Sequence, residues 1–245
     1  MKTLLSIDFD FFIREDPLWD FGHNEGSEIF MTLAWLARYL SINLYKETNI
    51  KKYADFMPKN IVKKLKWLGF KLEKPRVVVA DSHKHAFNET KKLKECRVFN
   101  FDAHHDYWDD SSKVSCANWL LKSEFSHYIK EATWIPPSWL CKFDYELPQS
   151  SKIETLFFDT LTENQFKNTK VDTLFLCRSG CWVPPHHDVE FFKMVKLLKC
   201  ITGDYEIIEN ISKRKFPSKE KAKKILEHNK KMIEKLCIPK SSVPI

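Results

Sequence analysis

Glycine is scarce in this 245-residue chain, with five residues in all. Phosphate-cradling loops need glycines in fixed register, and neither GxGxxG nor GxxxxGK[ST] occurs, which argues against nucleotide binding. Arginine is sparse too, confined to Arg14, Arg38, Arg76, Arg97, Arg178 and Arg214. Readers of base edges lean on the bidentate arginine fork, so the net charge of +7, mostly lysine, reads as a solvated face and not as a nucleic-acid surface. No apolar run approaches the roughly 18 residues of a membrane span, and the stretch before Asp8 is too short for a signal peptide. Disulfide patterning is absent as well. The seven cysteines are odd in number and irregular in spacing, and Cys177 and Cys181 lack the CxxC of a zinc site. Free thiols and a cytoplasmic location are expected.

Hydrophobic residues make up 43% of the chain, enough for a sizeable core, and no low-complexity linker divides it. One domain over residues 1–245 is expected. Val-rich or apolar runs at Thr3 to Ile7, Arg76 to Ala80, Cys96 to Phe101 and Thr173 to Cys177 read as buried strands, with shorter ones at Ala132 to Ile135, Thr155 to Phe158 and Asp204 to Ile208. Between them lie helical patterns. Ser27 caps a helix to Leu40 with Ile29, Leu33, Leu36 and Leu40 on one face. Others run over Pro58 to Leu68, to about Lys94, over Ala117 to Phe125 and from His187 to Leu198. A lysine-rich helix, residues 218–236, ends the pattern with Ile225, Leu226, Met232 and Leu236 as its apolar stripe. Alternating strands and helices predict an α/β fold with a mostly parallel sheet covered on both faces.

Two acidic clusters stand at strand ends. The first is Asp8-Phe9-Asp10; the second is Asp102-Ala103-His104-His105-Asp106. The carboxyl ends of strands are where open α/β sheets hold ligands. Asp8 and Asp10 at i, i+2, and Asp102, His104 and Asp106 at the same spacing, leave one face of an extended segment. His83 follows the strand Arg76 to Ala80. Four carboxylates crowded together require a compensating cation, and hard oxygen ligands in that excess favour Mn²⁺ or Fe²⁺. Two ions share such a cluster better than one.

Asp102-Ala103-His104-His105-Asp106 resembles the DAHxD motif of the arginase, agmatinase and ureohydrolase superfamily, and Ser6-Ile7-Asp8-Phe9-Asp10 resembles its SxDxD motif. Asp81-Ser82-His83 looks like a degraded GGDH. The motif order is permuted, since SxDxD comes first here and last in arginases. That order, with Cys116 to Leu120 and Cys177 to Pro185, is similar to the peptide arginases, which convert arginine side chains of ribosomally made precursors to ornithine. The resemblance implies a three-layer α/β/α sandwich and two Mn²⁺ per chain. It also implies ligand roles: His83 and Asp106 on one ion, His104 and Asp10 on the other, Asp8 and Asp102 bridging. His85 remains an alternative to His83, because the glycines of GGDH are missing.

The chemistry fits those residues. A guanidinium is a poor electrophile and needs water ionised by metal at neutral pH, and its departing amine needs a proton, for which His85 and His105 are candidates. Glu25, then Asp188, are candidates to orient the guanidinium. Trp182 with Pro184 and Pro185 suits the wall of an arginine pocket, Asn118 is a candidate lining residue, and Arg178 suits a substrate carboxylate or an internal acid. The rivals are a small-molecule ureohydrolase, a deacetylase-like zinc amidohydrolase, and a basic nucleic-acid-binding module. The expected partner is a precursor peptide, through an acidic leader docked on the lysine helix.

Overall fold

The computed structural model describes residues 1–13, 25, 27–41, 58–108, 112–142, 146–203, 205–209, 211–215 and 217–230. Met232, Leu236 and most of the loop from Ile13 to Gly26 lie outside the described residues.

Strand β1 (Thr3–Asp8) is followed by α1 (Glu28–Ser41), α2 (Ile61–Trp67), β2 (Phe70–Lys71), β3 (Arg76–Ala80), α3 (Ala86–Leu93) and β4 (Cys96–Phe101). Then come α4 (Trp119–Phe125), β5 (Ile129–Ile135), β6 (Ile153–Thr155), β7 (Thr169–Lys170), β8 (Thr173–Cys177), α5 (Asp188–Thr202), β9 (Tyr205–Ile207) and α6 (Lys219–His228). Among the described residues seven strands form one sheet in the order β6-β5-β4-β1-β8-β3-β9, with parallel pairing throughout. The small pair β2-β7 stands apart. These two-residue strands are too short to leave a periodic pattern in the sequence.

Period-two alternation sorts the core into two layers. Leu5 and Ile7, Val77 and Val79, Phe99 and Phe101, Leu174 and Leu176 face one side, where α2 and α5 supply Ile61, Leu65, Phe191 and Leu198. Leu4, Val78, Val98 and Phe175 face the other, against Ala86 of α3 and Trp119 and Leu120 of α4. The sheet is therefore covered by helices on both faces, as the alternation of elements predicts.

Two sequence expectations shift. Ile29 is not on the buried face of α1: it is 67% exposed, while Trp35, Arg38 and Tyr39 are buried. The helix is gripped from two sides, with Trp35 and Tyr39 in the sheet core and Leu33 and Leu36 against Ala222 of α6, so a single stripe does not describe it. The strand expected over Thr155 to Phe158 is instead Ile153–Thr155, with a 3₁₀ turn at Phe158–Thr160. The neighbouring strand β5 runs into Pro136 and Pro137, which have no N–H to continue a ladder.

The topology places the site. Strand β1 lies between β4 and β8, and the chain has strands running outward on either side of it. This is a switch point, the place where open α/β sheets hold their ligands. The registers Ile7↔Phe101 and Asp8↔Cys177 bring the two acidic clusters and the Arg178–Cys181 loop to the same end of the sheet.

Candidate metal centre

Asp8, the last residue of β1, is 1% exposed, and Asp10, Asp102, Asp106 and His83 are similarly buried. Asp10 does not extend the strand. It sits in a 3₁₀ turn, Phe9–Phe12, capped by Asp8, whose Oδ1 accepts from the Asp10 amide at 3.1 Å. The second cluster is not extended either. The His104 amide donates to Asp102 Oδ1 at 2.8 Å, and Asp106 has φ 53°. The i, i+2 spacing therefore brings these side chains together through tight turns and not through strand alternation. Carboxylates next to unpaired strand-end amides accept from them and fold the chain back.

His83 heads a 3₁₀ turn, His83–His85, capped by the Ser82 hydroxyl. Its Nδ1 lies 3.2 Å from Asp8 Oδ2, 2.9 Å from Asp102 Oδ2 and 2.8 Å from Asp106 Oδ2. Its Nε2 is 2.6 Å from Ser6 Oγ. Nδ1 is therefore the nitrogen turned toward the carboxylates. The ring stacks on Phe175, with centroids 5.7 Å apart. On the other side His104 Nδ1 is 3.0 Å from Asp10 Oδ2 and 3.8 Å from Asp102 Oδ1. Two trios result, Asp8–His83–Asp102 and Asp10–Asp102–His104, each with donor atoms within 4.8 Å of one another. Asp102 belongs to both.

Burial and mutual repulsion set the electrostatics of the cluster. Burial, then Asp8 and Asp102, push the Asp10 carboxyl well up. Burial and Asp102 do the same to Asp106, against the pull of His83. Burial opposes charge on Asp102, but His83 and His104 hold it down at about 2. Burial likewise opposes charge on His83, yet Asp106 and Asp102 raise it well above the usual imidazole range. Imidazole nitrogens lie 2.8 to 3.2 Å from the four carboxylates. The donor set, oxygen-rich with two imidazoles, can hold a metal ion.

A scan against protein-family models and searches of curated proteins and of solved structures find no match to this chain.

The remaining sequence candidates fall in different places. His85 is turned away from the cluster: its Nε2 is 2.7 Å from Glu209, which also accepts from the Asp81 and Ser82 amides and thereby holds the turn carrying His83. His105 is buried against Trp108 and Trp134, its Nδ1 accepts from the Tyr107 amide at 2.9 Å, and burial holds it neutral, at about 4. Glu25 accepts from Ser82 Oγ at 2.6 Å, beside the His83 turn, and burial raises its carboxyl. Trp182 lies against His104, centroids 4.6 Å apart.

Three others are bound up with the protein itself. Asn118 is buried with its amide tied to the Ser115 N–H and the Lys113 carbonyl. Arg178 forks onto Asp81 at 2.7 and 2.8 Å and reaches Asp188 at 3.2 Å, so its partners are internal acids. Asp188 is fully buried between Arg178 and Arg214. Its two oxygens face cations of the protein, which leaves a substrate guanidinium no place on them.

Sequence reasoning did not assign the groups that brace the candidate ligands. Ser6, the serine of the SxDxD-like segment, precedes Asp8 by two on the same strand, and that spacing is the signal for its place beside His83. Asn100, also two before a ligand, donates to Asp102 Oδ2 at 3.1 Å. Trp119 Nε1 donates to Asp106, and Trp134 Nε1 donates to the Asp102 carbonyl at 3.0 Å. The indoles come from α4 and β5, and no local pattern in the sequence sets their partners. Gly180 is a further constraint. A Cβ there would lie 2.7 Å from Asp81 Oδ1, an atom already fixed by Arg178. Gly180→Ala is expected to cost about 1–3 kcal/mol in urea unfolding, as overpacking does; an unchanged midpoint would show that Asp81 yields freely.

Proposed function

We propose that this protein is a metal-dependent hydrolase that acts on guanidinium groups, with arginine in a peptide as substrate and ornithine and urea as products. The observation that supports it most is the pair of buried trios sharing Asp102. Two Mn²⁺ bring a charge that balances the four aspartates, and ions so held supply water ionised near neutral pH. His83, Asp106, Asp8 and Asp102 would hold one ion and His104, Asp10 and Asp102 the other, with Asp8 able to serve both.

The chain's own residues have these tasks. Glu25 orients the guanidinium, because it stands next to the His83 turn and Asp188 is committed elsewhere. Trp182, against His104, walls the methylenes. His85 is held on Glu209 and His105 is buried among Trp108 and Trp134, so neither is assigned the proton for the departing amine. The lysines of α6 are exposed, and the helix packs on α1 through Ala222, Ile225 and Leu226. An acidic leader is the partner they suit.

The test is incubation of the Mn²⁺-loaded protein with arginine-containing peptides. Mass spectrometry should register a loss of about 42 Da, the change from guanidine to amine in metal-assisted hydrolysis. A peptide arginase draws binding energy from residues remote from the reacting carbon. Free arginine should then show a much lower kcat/KM than the peptide. Equal values would move the assignment to a small-molecule ureohydrolase, and one zinc per chain with amide cleavage would move it to a deacetylase.

A further inference from the structure

We infer that Ser179 is a positioning residue for the metal centre, holding Asp8 through a hydroxyl that a strained backbone keeps in place; this rests on the metal reading above. Strand β8 ends at Cys177, which pairs in register with Asp8. Two residues later Ser179 is buried and adopts φ 52°, the left-handed region that a side chain disfavours and glycine accepts. Its hydroxyl donates to Asp8 Oδ2 at 2.7 Å, across 171 positions of sequence. That oxygen is the one 3.2 Å from His83 Nδ1.

The turn is pinned from several sides. The Ser179 carbonyl accepts from the Trp182 and Val183 amides at 2.8 and 2.9 Å. The Gly180 carbonyl accepts from Trp35 Nε1 at 2.8 Å and Arg214 Nη1 at 2.6 Å, and the Cys181 carbonyl from Arg38 Nη1 at 2.7 Å. Strain that is over-determined in this way collects at functional sites. Asp8 is then held at both oxygens, Oδ1 by the Asp10 amide and Oδ2 by Ser179. Each carboxylate oxygen has a second lone pair, so both remain available to a cation. Ser179 thus selects the orientation of Asp8, while the backbone at 179 alone would be better served by glycine.

The two demands can be separated. Mn²⁺ alone is titrated by calorimetry into the metal-stripped full chain and its Ser179→Gly and Ser179→Ala variants, and the melting temperature of each metal-free protein is recorded. Ser179→Gly should melt at the same temperature as the unaltered chain or up to about 2–4 °C higher, because it relieves the left-handed strain. It should nevertheless bind Mn²⁺ about 10–100-fold more weakly, as loss of a group that orients a ligand does. Ser179→Ala should lose the same affinity and melt below the glycine variant. Unchanged Mn²⁺ affinity in Ser179→Gly would reduce Ser179 to a turn residue and overturn the inference alone. No Mn²⁺ binding by the unaltered chain would overturn the metal reading and this inference with it.

Discussion

Asp102→Ala is expected to lose both metal equivalents, because Asp102 is the one carboxylate common to both donor trios. Metal analysis after dialysis against Mn²⁺ should find about two ions in the unaltered chain and none in the variant, with kcat/KM on an arginine peptide lower by more than about 100-fold, the upper end for loss of a mere outer partner. Asp10→Ala should lose only the His104 position. Two retained ions in Asp102→Ala would refute the shared-ligand arrangement. The pH dependence has a definite sign. Burial and neighbouring aspartates raise the Asp10 and Asp106 carboxyls, so protons must leave as Mn²⁺ binds. Affinity should fall as the pH is lowered through the range of those raised carboxyls, and titration at several pH values reads it directly.

Asp188→Ala should be the most destabilising single change outside the metal cluster. Asp188 is fully buried and joins Arg178 at 3.2 Å to Arg214 at 2.6 Å. Its removal leaves two guanidinium groups facing each other with part of their compensation gone. Breaking a buried pair in this way costs about 3–5 kcal/mol. Urea unfolding of the metal-free protein measures it, and a loss below about 1 kcal/mol would mean that water or Asp81 replaces the carboxylate. The damage should reach the site, since Arg214 also donates to the Gly180 and Val183 carbonyls at 2.6 and 2.8 Å. Asp188→Asn, which keeps one oxygen as acceptor, should fall between the two.

Particular residues show where the sequence is a sufficient guide. Val77, Val78 and Val79 form a run that only a strand buried on both faces explains, and β3 lies where that run does. Asp102-Ala103-His104 marks a candidate metal site because few local structures need such residues side by side, and both Asp102 and His104 fall in the donor trios. Asp188 carries the opposite lesson. After two prolines and two histidines it is a candidate to hold a guanidinium, yet its partners are Arg178 and Arg214. The sequence cannot assign it, because Arg214 arrives from 26 residues away and Asp81, the other partner of Arg178, from 97. His83 and His85 differ by two positions and face opposite partners, a difference set by a 3₁₀ turn and by Glu209.

The sequence by itself determined the alternation of strands and helices, the two apolar faces of the sheet and the chemical type of the two acidic clusters. Each follows from short-range pattern: period two in strands, helical spacing between them, and carboxylates that burial would otherwise forbid. Only the tertiary structure decided which carboxylate is shared, which histidine nitrogen faces the cluster, and which charged groups are committed to one another. Those outcomes depend on the order of strands around β1 and on contacts such as Ser179 to Asp8 and Trp119 to Asp106. The physical reason is directional. Hydrogen bonds and ligand geometry depend on angles and tenths of an ångström, which are set by elements far apart in the chain, whereas hydrophobic burial depends on area and leaves its trace in local periodicity.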